Sequence, residues 1–268
     1  MNQNQWLATH PYLKPVAELH AAVDAALAEL SVPAVAIPRF DNYLPDCKAG
    51  VPLLHSDAVE FDFTAVGDLL IALARNLASA SLPGSLAAEC RTLAASLQHD
   101  DSLVSAQLRG GSLIFDPSQG LQRLLGWTTL ELYLRPALHA FVKWLDQDLW
   151  FRANCPACGS GPAMARLVSI NEGRVRYLCC GCCRTPWLYH RRGCPFCGEV
   201  DEHRLGSMSV ERESGIRIDY CSSCGGYLKT CSGDGAVHSM LSDWSSLHLD
   251  VLAIDHGLKR SAASLYEI

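Results

Sequence analysis

The chain has 268 residues, is 49% hydrophobic and 19% charged, and carries a formal net charge of −6. That length suffices for one large domain or two ordinary ones, and the composition excludes a disordered chain. The negative total gives no sign of a nucleic-acid binder, and no run of about 20 apolar residues is present to span a membrane as a helix. The opening MNQNQWLATHPYLKP lacks a basic start followed by an apolar run, so no secretory signal is expected and the chain is read as cytoplasmic.

The first 150 residues read as helical. Pro15 to Leu30 sets Val16, Leu19, Val23, Ala26, Leu27 and Leu30 on one stripe, with Pro at the start where a missing N–H costs nothing. Thr64 to Ala80 repeats the pattern through Val66, Leu69, Leu70, Leu73 and Leu77. Pro83-Gly84 breaks it, and Ser85 is placed to cap a third helix reaching about Gln98. A long helical stretch is expected from about Leu121 to Phe151, with Pro136 as a candidate kink. Trp127, Trp144 and Trp150 read as core aromatics of this part. From residue 151 the character changes, because Arg174–Leu178 and Gly215–Tyr220 alternate like strands and run into cysteine pairs. The tail from about Ser239 to His256 is again helical in pattern.

Thirteen cysteines are the dominant signal, and ten of them fall between Cys155 and Cys224. Reduced cytosolic thiols and an odd count favour metal ligation over a disulfide framework. Four CxxC units follow in order: Cys155/Cys158, Cys180/Cys183, Cys194/Cys197 and Cys221/Cys224. Two intervening residues let one turn aim both sulfurs at one ion, and two such turns close a tetrahedral S4 cage. Gly159, Gly198 and Gly225 follow their pairs directly, as a left-handed turn exit requires. The second unit is ambiguous, since Cys179/Cys182 is also a CxxC; Cys180/Cys183 is preferred because Cys179 fits the last position of a strand. Sequential pairing of the units gives shorter loops to close than a cross-braced arrangement, which stays open. No βαβ pattern surrounds any unit, which weighs against a dithiol redox motif.

Cys47, Cys90 and Cys231 read as buried thiols, and His190 and His203 as solvated surface. A closed S4 cage leaves no coordination position for substrate, so hydrolytic or Lewis-acid chemistry at the metals is not expected. Residues 151–235 hold 11 Lys+Arg against 8 Asp+Glu. Eight thiolates with two divalent ions add four negative charges, which Arg174, Arg176, Arg184, Arg191 and Arg192 can compensate. Tetrahedral S4 suits zinc and iron alike.

The runs NCPACGSGPA (154–163), RYLCCGCCRTPW (176–187), the Cys194 pair and YCSSCGGYLK (220–229) resemble the formate dehydrogenase accessory protein FdhE family over about 75 residues. The position of Trp187 after unit two supports Cys180 and Cys183, while Cys179 and Cys182 depart from the family pattern. The resemblance implies an α+β protein: a helical domain (1–150), two small rubredoxin-like or zinc-ribbon-like metal-binding modules (151–190 and 191–235) and a C-terminal helical tail (236–268). It implies a maturation factor rather than an enzyme, required for assembly or activation of formate dehydrogenase and binding its catalytic subunit. Two metal ions per chain follow, iron favoured by the resemblance and zinc compatible with the ligands. Cys155, Cys158, Cys180, Cys183, Cys194, Cys197, Cys221 and Cys224 are then the metal ligands. Two other readings stand beside it: a zinc-ribbon nucleic-acid or transcription-associated protein, and a rubredoxin-like electron carrier. No nucleic acid and no membrane insertion are expected, and exposed faces of the acidic helical half could support self-association.

Overall fold

Alanine- and leucine-rich stripes dictate the helices, and their apolar faces decide how they pack. In the computed structural model, which describes residues 3–97, 120–171, 173–211, 213, 215–232 and 243–266, the helices before the cysteine region are α1 (Gln3–Thr9), α2 (Lys14–Ala28), α3 (Leu44–Ala49), α4 (Thr64–Ser79), α5 (Gly84–Leu97) and α6 (Gly120–Trp144). Every predicted stripe residue of α4 is buried: Val66, Leu69, Leu70, Leu73 and Leu77. Leu70, Leu73 and Leu77 meet Val23 and Ala26 of α2, Cys90 and Ala94 of α5, and Leu124 and Leu125 of α6 in one apolar cluster, while Val66 and Leu69 join the larger cluster around Trp127 and Phe141.

Two boundaries differ from the sequence reading. α6 runs through Pro136 and stops at Trp144 rather than Phe151. Asp146 ends the helical path by accepting from the Asp148 amide at 3.1 Å, which starts a separate 3-10 turn, Gln147–Leu149. The tail helix is α7 (Leu247–Asp255), preceded by a 3-10 turn at Trp244–Ser246; the expected start near Ser239 and the expected helix end at Gln98 lie outside the described residues.

The cysteine region is all strand and turn. β1 (Pro162–Ile170), β2 (Gly173–Cys180) and β3 (Pro186–Tyr189) form one antiparallel trio, and β4 (Leu205–Met208), β5 (Ile216–Cys221) and β6 (Gly226–Ser232) a second. The trios repeat each other in chain order: turn, strand, strand, turn, strand. They are joined edge to edge by β1 lying parallel to β6, with Met164 opposite Lys229, so the sheet runs β3-β2-β1-β6-β5-β4. β7 (Lys259–Arg260) extends the parallel pairing on β6.

Each face of this sheet region has its own cover. α1 and α7 supply Trp6, Leu249 and Ala253, packed on Ile216, Ile218 and Tyr227. A larger cluster joins Tyr43, Leu53, Trp127, Phe141 and Trp150 to Cys155, Cys180 and Trp187. The first cysteine turn pair therefore sits in the same apolar core as the helices.

Candidate metal centres

Each cysteine pair is held by a short loop whose backbone bonds recur. The amide of Cys155 donates to the Ser160 carbonyl (2.8 Å), that of Cys180 to Thr185 (3.1 Å) and that of Cys194 to Glu199 (2.8 Å). Inside the loops, amides point at sulfur: Ala157 to Cys155 Sγ, Phe196 to Cys194 Sγ and Gly226 to Cys224 Sγ at 3.4 Å, and Cys182 to Cys180 Sγ at 3.3 Å. Such donors favour sulfur in its thiolate form. The chain leaves three of the loops through left-handed glycines, Gly159 (φ 77°), Gly198 (φ 77°) and Gly225 (φ 70°). The remaining loop exits through Arg184 at φ 58°, the one non-glycine positive φ among the described residues. That exit comes one residue after Cys183, so unit two has the same shape as the others only when Cys180 and Cys183 are its pair.

Tertiary pairing of the loops brings the sulfurs together in two groups of four: Cys155, Cys158, Cys180 and Cys183, then Cys194, Cys197, Cys221 and Cys224. In the first group Cys155 Sγ is 3.6 Å from Cys183 Sγ, and Cys158 Sγ is 3.4 Å from Cys180 Sγ. In the second, Cys194–Cys224 and Cys197–Cys221 are both 3.7 Å. These separations are far beyond a disulfide bond, and all thirteen cysteines are free. A tetrahedron with metal–sulfur bonds of about 2.3 Å has edges of about 3.8 Å. The donor type, number and spacing fit one ion of zinc or iron in each group, with the units paired sequentially and not cross-braced.

Identical donors sit in unlike surroundings. All four sulfurs of the first group are buried, and residues 51–55 lie over them: Leu53 and Leu54 amides donate to the Pro156 and Ala157 carbonyls at 2.9 and 2.8 Å. The indoles of Trp150 and Trp187 brace the same loop by donating to the Asn154 and Arg152 carbonyls, at 2.8 and 2.9 Å. Gly181 lies close under the C-terminal segment, where an added Cβ would stand 2.7 Å from the Ala263 carbonyl oxygen. The second group is open, with Cys197 exposed and Cys224 half-buried. Burial pushes the Cys194 thiol up to about 12 and raises Cys155 and Cys180 as well. A divalent cation supplies the charge that reverses this by favouring the thiolates. Arg176, buried beside the second group, donates to the Gly193 carbonyl at 2.7 Å and so brings one positive charge next to Cys194. Arg174, Arg184, Arg191 and Arg192 are exposed.

The two extra thiols of unit two fall outside both groups. Cys179 is half-buried against the α1–α7 side of the sheet. Cys182 is buried beside Cys158 and Ser160, close to the first group but not one of its four members. Cys47, Cys90 and Cys231 are buried, and His190 and His203 are exposed.

Residues 154–191 match the family model described as "FdhE, central domain". An FdhE homolog of Aquifex aeolicus (strain VF5) is 34% identical over 131 residues, 47% of this chain and 46% of that protein. One from Shewanella oneidensis is 31% identical over 125 residues, 46% of this chain and 40% of that protein. A crystal structure described as the FdhE protein from Pseudomonas aeruginosa shares the fold, with a TM-score of 0.63 and 22% identity over 97% of this chain and 91% of that one. The chain is FdhE-like. The matched part covers a little under half of these two curated relatives. The FdhE-like fold agrees with the expected combination of helices, sheet and paired cysteine loops, and no described helix is long and apolar enough to cross a membrane.

Two charged groups of the FdhE-like chain escaped the sequence reading. Lys229, within the YCSSCGGYLK run, is wholly buried and pairs with Asp243 and Asp250, both at 2.6 Å, while Arg260 pairs with the same two carboxylates. A lysine in the middle of an otherwise uncharged strand after a cysteine turn is the only signal the sequence offers for this. His10, Glu213 and His248 also meet, from three distant parts of the chain with no shared motif.

Proposed function

We propose that this chain is a non-enzymatic, cytoplasmic accessory protein of formate dehydrogenase maturation that binds the catalytic subunit and carries one metal ion, iron, in each tetra-cysteine group. The observation that carries the reading is the pair of four-sulfur groups within an FdhE-like fold. Four thiolates complete a tetrahedral ion, which supports a structural or electron-carrying role and leaves no position for a substrate to bind the metal. The open second group supports contact with a client there. It adjoins a cavity of about 340 Å³ lined by Arg176, Arg191, Arg217, Asp219, Phe196 and Tyr220, a mixture of charged and aromatic surface suited to a protein partner.

Affinity capture of the tagged chain from its host's cytosol tests this reading. Enrichment of a formate dehydrogenase catalytic subunit, lost when Cys197 and Cys224 are both changed to serine, is the expected result. Enrichment of RNA polymerase or ribosomal proteins would overturn it in favour of a nucleic-acid-associated role. The exposure of Cys197 also favours a second reading, a rubredoxin-like electron carrier. Iron-loaded protein would then bleach reversibly on reduction, and zinc-loaded protein from iron-replete cells would dismiss that reading.

A further inference from the structure

His10 at the end of α1, Glu213 in the loop between β4 and β5, and His248 in α7 converge away from both cysteine groups. The Glu213 carboxylate bridges the two rings, with Oε1 3.0 Å from His10 Nε2 and Oε2 2.7 Å from His248 Nε2. Their side chains are only 9%, 11% and 13% exposed in the order His10, Glu213, His248. Trp6 stacks on His10 with ring centroids 3.9 Å apart, and its indole is tied to the Ser245 carbonyl at 2.9 Å. The three groups are thus held in place by packing and not by their mutual contacts alone.

Both histidines present Nε2 to the one carboxylate, and the surroundings of Nδ1 differ between the two rings. His10 Nδ1 lies 3.0 Å from both the Trp6 carbonyl oxygen and the Thr9 hydroxyl, so either tautomer of that ring finds a partner. With the hydrogen on Nδ1 and donated to that carbonyl, the Nε2 lone pair is free to take a cation beside the carboxylate. His248 Nδ1 is buried with no hydrogen-bond partner among the described residues, so Nε2, 2.7 Å from the carboxylate, is the nitrogen of that ring that faces the site. One divalent cation bound by both Nε2 atoms and one carboxylate oxygen would take the place of the two Nε2 hydrogens between these groups. It also uses the bond from His10 Nδ1 to a backbone carbonyl as metal-bound histidines commonly do. Bonds of about 2.0–2.1 Å give a tetrahedral site edges of about 3.3 Å, and one ligand atom from each of the three residues already lies within 4.8 Å of the other two.

We propose that His10, Glu213 and His248 form a third metal site, chemically distinct from the cysteine groups, for a borderline divalent cation of the zinc, cobalt or iron(II) class. Two imidazoles and one carboxylate select such ions and leave coordination positions free. A bound ion would pin the first and last described helices across the β4–β5 loop.

The test uses the full chain, free of any histidine tag, with both cysteine groups metal-loaded, titrated with cobalt(II) and separately with zinc(II). One further equivalent is expected, with cobalt d–d absorption and no added thiolate-to-cobalt charge transfer. Affinity should fall at least tenfold in Glu213→Gln and in His248→Ala, while both variants keep two ions. No further equivalent, a further equivalent with thiolate charge transfer, or undiminished binding in both variants would overturn the site. The cobalt spectrum of the unaltered chain decides the question even where a variant fails to fold.

Discussion

Replacing Lys229 by methionine removes one charge from a network that is neutral as it stands. Lys229 and Arg260 face Asp243 and Asp250, and the ammonium also donates to the Asp243 carbonyl at 2.9 Å. In the wild type, burial alone would raise the Asp243 carboxyl, but Lys229 and Arg260 more than reverse this and hold it at about 2. Its contribution is therefore complete above the unfolded value near 4, and is lost only as pH falls towards 2. Between pH 5 and 7 the wild type should hardly respond through this group. Lys229→Met leaves one buried negative charge in excess, a defect of about 3–5 kcal/mol. The variant can escape by protonating one carboxylate. From an unfolded pKa of about 3.9, that costs about 4 kcal/mol at pH 7 and about 1.5 kcal/mol at pH 5. The stability deficit should accordingly shrink from about 4 to about 1.5 kcal/mol over those two pH units. Denaturant unfolding of metal-loaded protein at both pH values, followed by tryptophan fluorescence, measures it. A deficit below 1 kcal/mol at pH 7, or one equal at the two pH values, would refute the reasoning. Adding Asp250→Asn should restore much of the loss at pH 7, because the charges balance again.

Arg184 holds a left-handed conformation that costs a non-glycine residue about 1–2 kcal/mol, and glycine's extra backbone freedom returns about 0.5–1 kcal/mol of that. Arg184→Gly should therefore stabilise the chain by about 0.5–1 kcal/mol, a rise of about 1–3 °C in Tm by calorimetry; a fall would mean that the arginine side chain outweighs the strain. The two cysteine groups should also differ in metal lability. A chromogenic chelator should remove the ion of the second group at least tenfold faster than that of the first, because only the second has an exposed ligand, Cys197. The Cys180→Ser/Cys183→Ser variant should keep the fast phase and lose the slow one, and release of both ions at one rate would contradict the assignment.

The legible parts of the fold are those whose cause is local. The α4 stripe specifies both the helix and its buried face, so Leu69, Leu73 and Leu77 lie where a period of 3.6 puts them. The cysteine turns are equally local, since the sulfur spacing and the glycine after each pair belong to one loop. Arg184 breaks that glycine rule, yet its backbone adopts the glycine conformation because the loop is closed from both sides by Cys180–Thr185 pairing and the sulfur group. The end of α6 was misplaced because Leu145, Leu149 and Trp150 continue an apolar pattern, whereas one side-chain bond from Asp146 stops the helix. Nothing in the sequence announces that β1 lies against β6. That edge-to-edge joining, and the meeting of His10 with Glu213 and His248, come from tertiary packing of segments far apart in the chain.

The two halves of the sheet show how one local design can serve two ends. Both trios repeat the same order of turns and strands, and both pair the first sulfur with the fourth and the second with the third. What differs is the cover. The first trio carries its turns into the core beneath Leu53 and between Trp150 and Trp187, where loss of the ion would leave four buried sulfurs and undo the packing of the helices. The second trio gives its apolar residues, Ile216 and Ile218, to α1 and α7 and leaves Cys197 at the surface. Burial protects an ion from exchange and from electron transfer alike, so the first ion is suited to holding the fold and the second to meeting a partner. The client contact proposed for the second group thus follows from its surroundings and not from its ligands, which both groups share.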